Sequence, residues 1–228
     1  MTKAADTHKP LIEQSIPKDL ETATFAMGCF WRPDALFGSI EGVVRTRVGY
    51  TGGTTENPTY WMLADHIETV QIDYDPAVTE YRALLNIFFS SHKATQEAWK
   101  RQYMSAVFFH NREQEGLVYQ AKKNLEAQSG SKVYTTIYPY RQFYLAEDRH
   151  QKYKLQRRLT LMREFRSMYP DMMSFINSTA AARVNGYLYG YGNRERLQQE
   201  INSFGLSATA QDMLLDKLEV PRVINCGS

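Results

Sequence analysis

Between Thr22 and Phe109 the hydrophobic pattern switches repeatedly between period two and period 3.6, and this order of segments narrows the fold more than any other feature. Thr22–Met27 reads as a strand. Phe30–Ile40 is apolar at Phe30, Ala35, Leu36 and Phe37, with Pro33 in the first turn where proline is tolerated, and reads as a short helix. Val43–Tyr50 reads as a second strand, closed by the turn Thr51-Gly52-Gly53-Thr54. Glu68–Tyr74 alternates Thr69, Gln71 and Asp73 with Val70, Ile72 and Tyr74, a clear strand period, and Asp75-Pro76 ends it. Tyr81–Ser90 carries Leu84, Leu85, Ile87 and Phe88 at helical spacing. Tyr103–Phe109 reads as a strand. The order β-α-β-β-α-β predicts an α+β fold, a split β-α-β sheet with helices on one face.

Downstream, Asn111 caps a predicted helix reaching about Gln128, with Glu113 and Glu115 in its first turn. Val133–Ile137 and Gln142–Tyr144 read as short strands or extended segments, and Asp148 begins a further helix near Leu155–Tyr169. Beyond Pro170 the character changes: Ser178–Gly192 is small and aromatic, and Asn193–Leu218 alternates helical stretches around a break at Gly205. The expected organisation is an extended N-terminal arm (1–21), an α+β domain (22–169), a helical C-terminal extension (170–219) and a mobile tail (220–228) carrying Cys226.

Composition excludes several function classes. With 43% apolar and 23% charged residues the chain can build a core, and a net charge of +2 argues for neither nucleic acid nor anionic membrane. Two distant cysteines make no disulfide framework, and no CxxC or Cys/His cluster suggests a metal. No glycine pattern suggests a bound nucleotide or flavin. With no leader and no long apolar run, the chain reads as soluble and cytoplasmic.

Gly28-Cys29-Phe30-Trp31 sits where the first strand ends and the first helix begins. Unpaired backbone N–H groups and the helix dipole favour thiolate there, and two aromatics supply an apolar wall. The other reading of Cys29 is a buried structural cysteine. Period two places Glu68 on the face of Val70 and Ile72, where a carboxyl needs a partner or a proton.

Five motifs occur in order: Phe25-Ala26-Met27-Gly28-Cys29-Phe30-Trp31, Val48-Gly49-Tyr50-Thr51-Gly52-Gly53, Asn57-Pro58-Thr59-Tyr60, His66-Ile67-Glu68-Thr69-Val70 and Gln102-Tyr103-Met104-Ser105-Ala106-Val107. In sequence and spacing they resemble the A class of peptide methionine sulfoxide reductases, over residues 22 to about 150. The resemblance implies a ferredoxin-like core and reduction of methionine S-sulfoxide, free or in proteins. It implies Cys29 as nucleophile, Glu68 as acid, Tyr60 and Tyr103 as hydroxyls on the sulfoxide oxygen, and Phe30 and Trp31 as the wall for the substrate methyl. It further implies a sulfenic acid on Cys29 and thioredoxin, or dithiothreitol, as the electron donor, with no bound cofactor. The stretch Asn185-Gly186-Tyr187-Leu188-Tyr189-Gly190 lacks the second cysteine usual in the family, so Cys226 is the expected resolving thiol. Other departures are Arg32-Pro33-Asp34 after Trp31, Asp65 before His66, Met104, and Gln96-Glu97-Ala98-Trp99 in place of an expected aspartate segment.

Two other functions fit parts of this pattern. One is a methionine-sulfoxide binding protein that has lost turnover. The other is a thiol hydrolase pairing Cys29 with His66 or His92, although no motif supplies an oxyanion hole.

Overall fold

The computed structural model describes residues 9–219. Its sheet has six strands: β1 (Glu21–Met27), β2 (Val43–Thr51), β3 (Ile67–Tyr74), β4 (Ser105–Phe109), β5 (Thr136–Pro139) and β6 (Phe143–Leu145). They run in the order β5-β4-β1-β3-β2-β6. The middle four pair antiparallel, β6 joins β2 antiparallel and β5 joins β4 parallel, so the sheet is mixed. The α+β architecture expected from the sequence is therefore present.

The helices are α1 (Trp31–Gly38), α2 (Tyr81–Ser90), α3 (Arg112–Ser129), α4 (Tyr153–Gln156), α5 (Leu159–Met168), α6 (Met172–Ile176), α7 (Thr179–Tyr189), α8 (Arg194–Glu200) and α9 (Ala208–Glu219). The apolar stripe of α2 packs Leu84, Leu85 and Phe88 onto Phe25, Val70 and Ile72. Burying each such side chain contributes about 1.5–3 kcal/mol. The α3 helix starts as its composition demands, with the Asn111 side chain accepting from Gln114 N, and ends at Gly130 in a left-handed cap.

Several segments differ from expectation. Tyr103 does not begin β4: Arg101–Tyr103 forms a 3-10 turn and the strand starts at Ser105. The stretch 11–14 is not extended. Leu11–Glu13 makes a 3-10 turn, and the Glu13 carboxylate accepts from the Tyr169 hydroxyl (2.8 Å) and Ala180 N (3.0 Å). The single helix expected after Asp148 is three pieces, a 3-10 turn at Asp148–His150 followed by α4 and α5. Lys152 makes the first of the two breaks, sitting at φ 47° with its side chain fully buried. The tail 220–228, with Cys226, lies outside the described residues.

The C-terminal helices have their own core around Phe165, Phe175, Tyr187 and Phe204, and α7 lies against α1. The two helices meet backbone to backbone. A Cβ on Gly38 would lie 2.6 Å from the Ala182 carbonyl oxygen, and one on Gly186 would lie 2.8 Å from that of Ala35. A buried polar network locks this contact. Lys152 Nζ donates to Asp34 Oδ1 (3.0 Å), Thr46 O (2.6 Å) and Thr46 Oγ1 (3.0 Å). Asp34 Oδ2 accepts from Lys152 N (2.9 Å) and Asn185 Nδ2 (3.4 Å). Asn185 Oδ1 in turn accepts from Lys154 N and Leu155 N at the start of α4. No described helix is long and apolar enough to cross a membrane.

Candidate active site

Antiparallel pairing gathers the site at one end of the sheet. Strands β1 and β2 finish there, and β3 and β4 begin there: Met27 pairs with Ser105, and Tyr50 with Glu68. Cys29 follows β1 after Gly28, whose φ of 93° needs glycine for its backbone conformation, since a Cβ there would meet nothing. Cys29 is exposed and lines a cleft of about 440 Å³ with His92, Trp99 and Tyr103.

The sequence expectation of a thiolate favoured by the helix start needs correction. The Trp31 N–H does reach the sulfur and lowers its pKa, but the net shift is upward. Burial of the sulfur is the largest cause, and the Glu68 carboxyl adds repulsion and a hydrogen bond that holds the thiol proton. Glu68 is 1% exposed. Its Oε2 accepts from Phe30 N (3.1 Å) and its Oε1 from Gln102 Nε2 (2.6 Å). Burial raises its pKa against those two bonds. Thiol and carboxyl thus face each other, both pushed toward their protonated forms.

The loop between β2 and β3 carries Tyr60, and the 3-10 turn before β4 carries Tyr103. The two phenols are neighbours, and Tyr103 is pushed up to about 12 by burial, the Glu68 charge and Tyr60. Its hydroxyl is therefore a proton donor throughout the neutral range. Phe30 is 1% exposed, with its ring against Tyr50 and His150. Trp31 is partly exposed, stacks on Tyr153 at 3.6 Å and donates its indole N–H to His150 Nδ1 (3.1 Å). Cys29, Glu68, Tyr60, Tyr103, Phe30 and Trp31 are thus brought together, while Cys226 lies outside the described residues.

Sequence reasoning did not single out the residues that hold this group in place. Gln102 orients Glu68. His150 touches Trp31, Phe30 and Tyr60, and burial lowers its pKa, which keeps Nδ1 free to accept from the indole. Glu147 accepts from Tyr60 N (3.0 Å) and the Tyr50 hydroxyl (2.8 Å), fixing the Tyr60 loop. Tyr189, at the end of α7, is an electrostatic neighbour of Cys29. The available signals were the place of Gln102 at the head of the fifth motif and the polar run Glu147-Asp148-Arg149-His150-Gln151. Glu97, from the stretch that stands in place of the expected aspartate segment, lines the cleft, while Gln102 is the side chain bonded to Glu68.

The histidines are otherwise engaged. His66 Nε2 bonds the Thr55 carbonyl (2.7 Å). His92 bonds Phe88 O and Ser105 Oγ, both at 2.7 Å, which leaves no ring nitrogen for Cys29. The described residues hold no group of three His, Cys, Asp or Glu suited to a metal.

Comparison with known proteins identifies the family. A sequence model of the peptide methionine sulfoxide reductase family matches residues 21–180. The chain is 38% identical over 190 residues to a Drosophila melanogaster peptide methionine sulfoxide reductase, covering 82% of this chain and 76% of the relative. It is 38% identical over 182 residues to an Arabidopsis thaliana peptide methionine sulfoxide reductase A5, covering 77% and 71%. Among solved structures it is similar to reduced Mxr1 from Saccharomyces cerevisiae (TM-score 0.58, 27% identity, 63% of this chain and 88% of that one). It is also similar to methionine sulfoxide reductase A of Corynebacterium diphtheriae (TM-score 0.55, 29% identity, 63% and 77%). A thiol facing a buried carboxyl at the end of an α+β sheet, within a sequence of this likeness, leads to one assignment: the chain belongs to the peptide methionine sulfoxide reductase family.

Proposed function

We propose that this chain reduces methionine S-sulfoxide, free or in proteins, through Cys29 and Glu68. The observation that carries the reading is the coupled pair of an exposed thiol and a buried carboxyl, both with raised pKa. One proton serves both groups. It passes from the thiol to Glu68 as substrate enters, and from Glu68 to the sulfoxide oxygen as the thiolate attacks the sulfur. As the sulfur–sulfur bond made by that attack breaks, the hydroxyl passes from the methionine sulfur to Cys29: one S–O bond breaks and another forms, which leaves a sulfenic acid on Cys29, methionine, and an ionised Glu68. Tyr60 and Tyr103 supply hydroxyl donors to the oxygen, and Trp31, backed by the buried Phe30, faces the methyl group. Cys226 then attacks the sulfenic acid, water leaves, and the resulting Cys29–Cys226 disulfide is reduced by thioredoxin. A tail can return to the site at modest cost because closure entropy grows only logarithmically with length.

The test is single-turnover reduction of the two epimers of a dabsylated methionine sulfoxide. The expected result is loss of the S epimer alone, one equivalent per Cys29 without reductant and catalytically with dithiothreitol. Failure of the reduced protein to consume either epimer would overturn the reading. Mass mapping of the oxidised protein tests the tail separately, since sulfenylated Cys29 beside free Cys226 would refute the disulfide.

A further inference from the structure

The cleft at Cys29 does not stop at Trp99. It opens into a second depression of about 620 Å³, and the two share Gln96, Glu97, Ala98 and Ser105 in their walls. Lys100, Arg101, Lys122 and Lys132 stand around this groove against one carboxylate, Glu97, and Lys93 adds a further cation on the cleft side.

What sets these five cations apart is their grouping around a groove whose wall holds a single carboxylate. Arg45, Arg47, Arg149, Lys152, Arg183 and Arg196 each have a carboxylate within 4 Å. Among the described residues, none of the five does. Three of them contact neutral groups, and the charge of Lys100 acts on the buried Glu68. Lys122 Nζ donates to Thr135 O (2.8 Å), Arg101 to Asp65 O (2.8 Å) and Gly52 O (3.1 Å), and Lys132 lies over the Tyr134 ring (4.6 Å). Such contacts fix a cation in place without cancelling its charge. In a chain whose net charge is only +2, this is a local concentration of positive potential beside the nucleophile.

The mouth of the site has a second distinguishing feature. Trp61 and Trp99 are 79% and 82% exposed, and each packs on one of the two site tyrosines, at 5.2 Å from Tyr60 and 5.4 Å from Tyr103. Exposed indoles at a rim are typical of surfaces that take protein.

We propose that the groove is a subsite for the polypeptide flanking the oxidised methionine, selecting substrates in which acidic residues neighbour the methionine sulfoxide. The inference rests on the reductase reading of Cys29. The shared walls are the reason to assign the groove to substrate: a chain whose sulfoxide lies at Cys29 continues into it. The unpaired cations are the reason to assign acidic flanks, with attraction that screens within about 10 Å at 0.1 M salt.

The experiment compares two peptide sulfoxides, one flanked on both sides by Asp and Glu and one by Lys, using dithiothreitol as reductant. At low salt kcat/KM is expected to favour the acidic peptide by ~10-fold, with the gap closing at high salt. Lys132→Glu is expected to reduce that preference at least ~3-fold, and Lys122→Gln, whose amide can still donate to Thr135, to reduce it less. Free methionine sulfoxide, which is too short to reach the groove, should be reduced equally well by both variants, reporting an intact fold. Equal kcat/KM for the two peptides, or a preference that neither variant moves, would overturn the proposal. So would a loss seen only when thioredoxin replaces dithiothreitol, which would make the groove a docking face for the reductant. Fluorescence anisotropy of the same peptides on Cys29→Ser decides the question without turnover. There, acidic preference supports the groove even if reduction fails, and no preference refutes it even if reduction succeeds.

Discussion

Cys29 and Glu68 shape each other. A buried carboxyl beside a thiol raises the thiol pKa by charge and by hydrogen bonding, and burial raises both groups. The resting site therefore holds its proton rather than a free thiolate, which protects the thiol from indiscriminate oxidation. Alkylation of Cys29 by iodoacetamide, followed by mass spectrometry on its own peptide, should show a midpoint above the ordinary 9.0. Glu68→Gln removes the negative charge, so its midpoint should move down while staying above that of a fully exposed thiol. The same substitution should slow sulfoxide reduction about 10²–10⁴-fold, the usual contribution of a general acid. A midpoint unmoved by Glu68→Gln would show that the two groups titrate independently. Part of this pair was legible in the sequence: period two placed Glu68 on the apolar face of Val70 and Ile72, where a carboxyl must be held or protonated. The upward shift of Cys29 was not legible, because it depends on how the sulfur packs rather than on its place before a helix.

Strands and helices with a one-sided hydrophobic face were readable because that face alone determines them. The α2 helix runs Tyr81–Ser90 as its apolar spacing demands, and Asn111 caps α3. The segment after Asp148 was misread as continuous helix because its geometry is set by residues far away. Lys152 adopts a left-handed backbone so that its ammonium can reach Asp34, 118 residues earlier, and Thr46. The same distance hid Gln102, His150 and Glu147, whose partners lie 34 to 119 residues away. The Asp34–Lys152 pair should behave as buried pairs do, weak as a net source of stability but costly to break. Lys152→Met strands a carboxylate with no solvent, and urea unfolding should register a loss of about 3–5 kcal/mol. Asp34→Asn together with Lys152→Met removes both charges and keeps an acceptor for Lys152 N, so the double variant should be more stable than Lys152→Met alone. If the double variant is instead the less stable of the two, the hydrogen bonds that Asp34 accepts from Thr46, Asn185 and the backbone hold its carboxylate without the ammonium.

The sheet and the C-terminal helices are joined at their cores, through the Gly38 and Gly186 contacts and the Asp34 network, so the fold should respond to acid as one body. Three partly or fully buried histidines set the direction of that response. His92, His110 and His150 all have pKa values lowered from 6.5, with burial as the largest cause. Their folded pKa lies below the unfolded value, so the unfolded chain takes up protons first as pH falls. Stability is therefore full above about pH 6.5 and declines below it, until the folded groups also protonate. Glu68 opposes this at lower pH, since its raised pKa lets the folded state gain a proton before the unfolded chain does. His110 allows the effect to be isolated, because its contacts are with Thr24 (2.9 Å) and the Tyr140 ring (4.1 Å) rather than with Cys29 or Glu68. Urea unfolding at steps from pH 8 to pH 5 should give a stability that falls with acid, each fully coupled histidine contributing a slope of at most about 1.4 kcal/mol per pH unit. His110→Gln keeps a polar group facing Thr24 and removes one titration, so its curve should be shallower between pH 6.5 and 5 while sulfoxide reduction at pH 8 stays unchanged. A slope identical to that of the wild type would mean that His110 titrates alike in both states, and the acid response would then belong to His92 and His150.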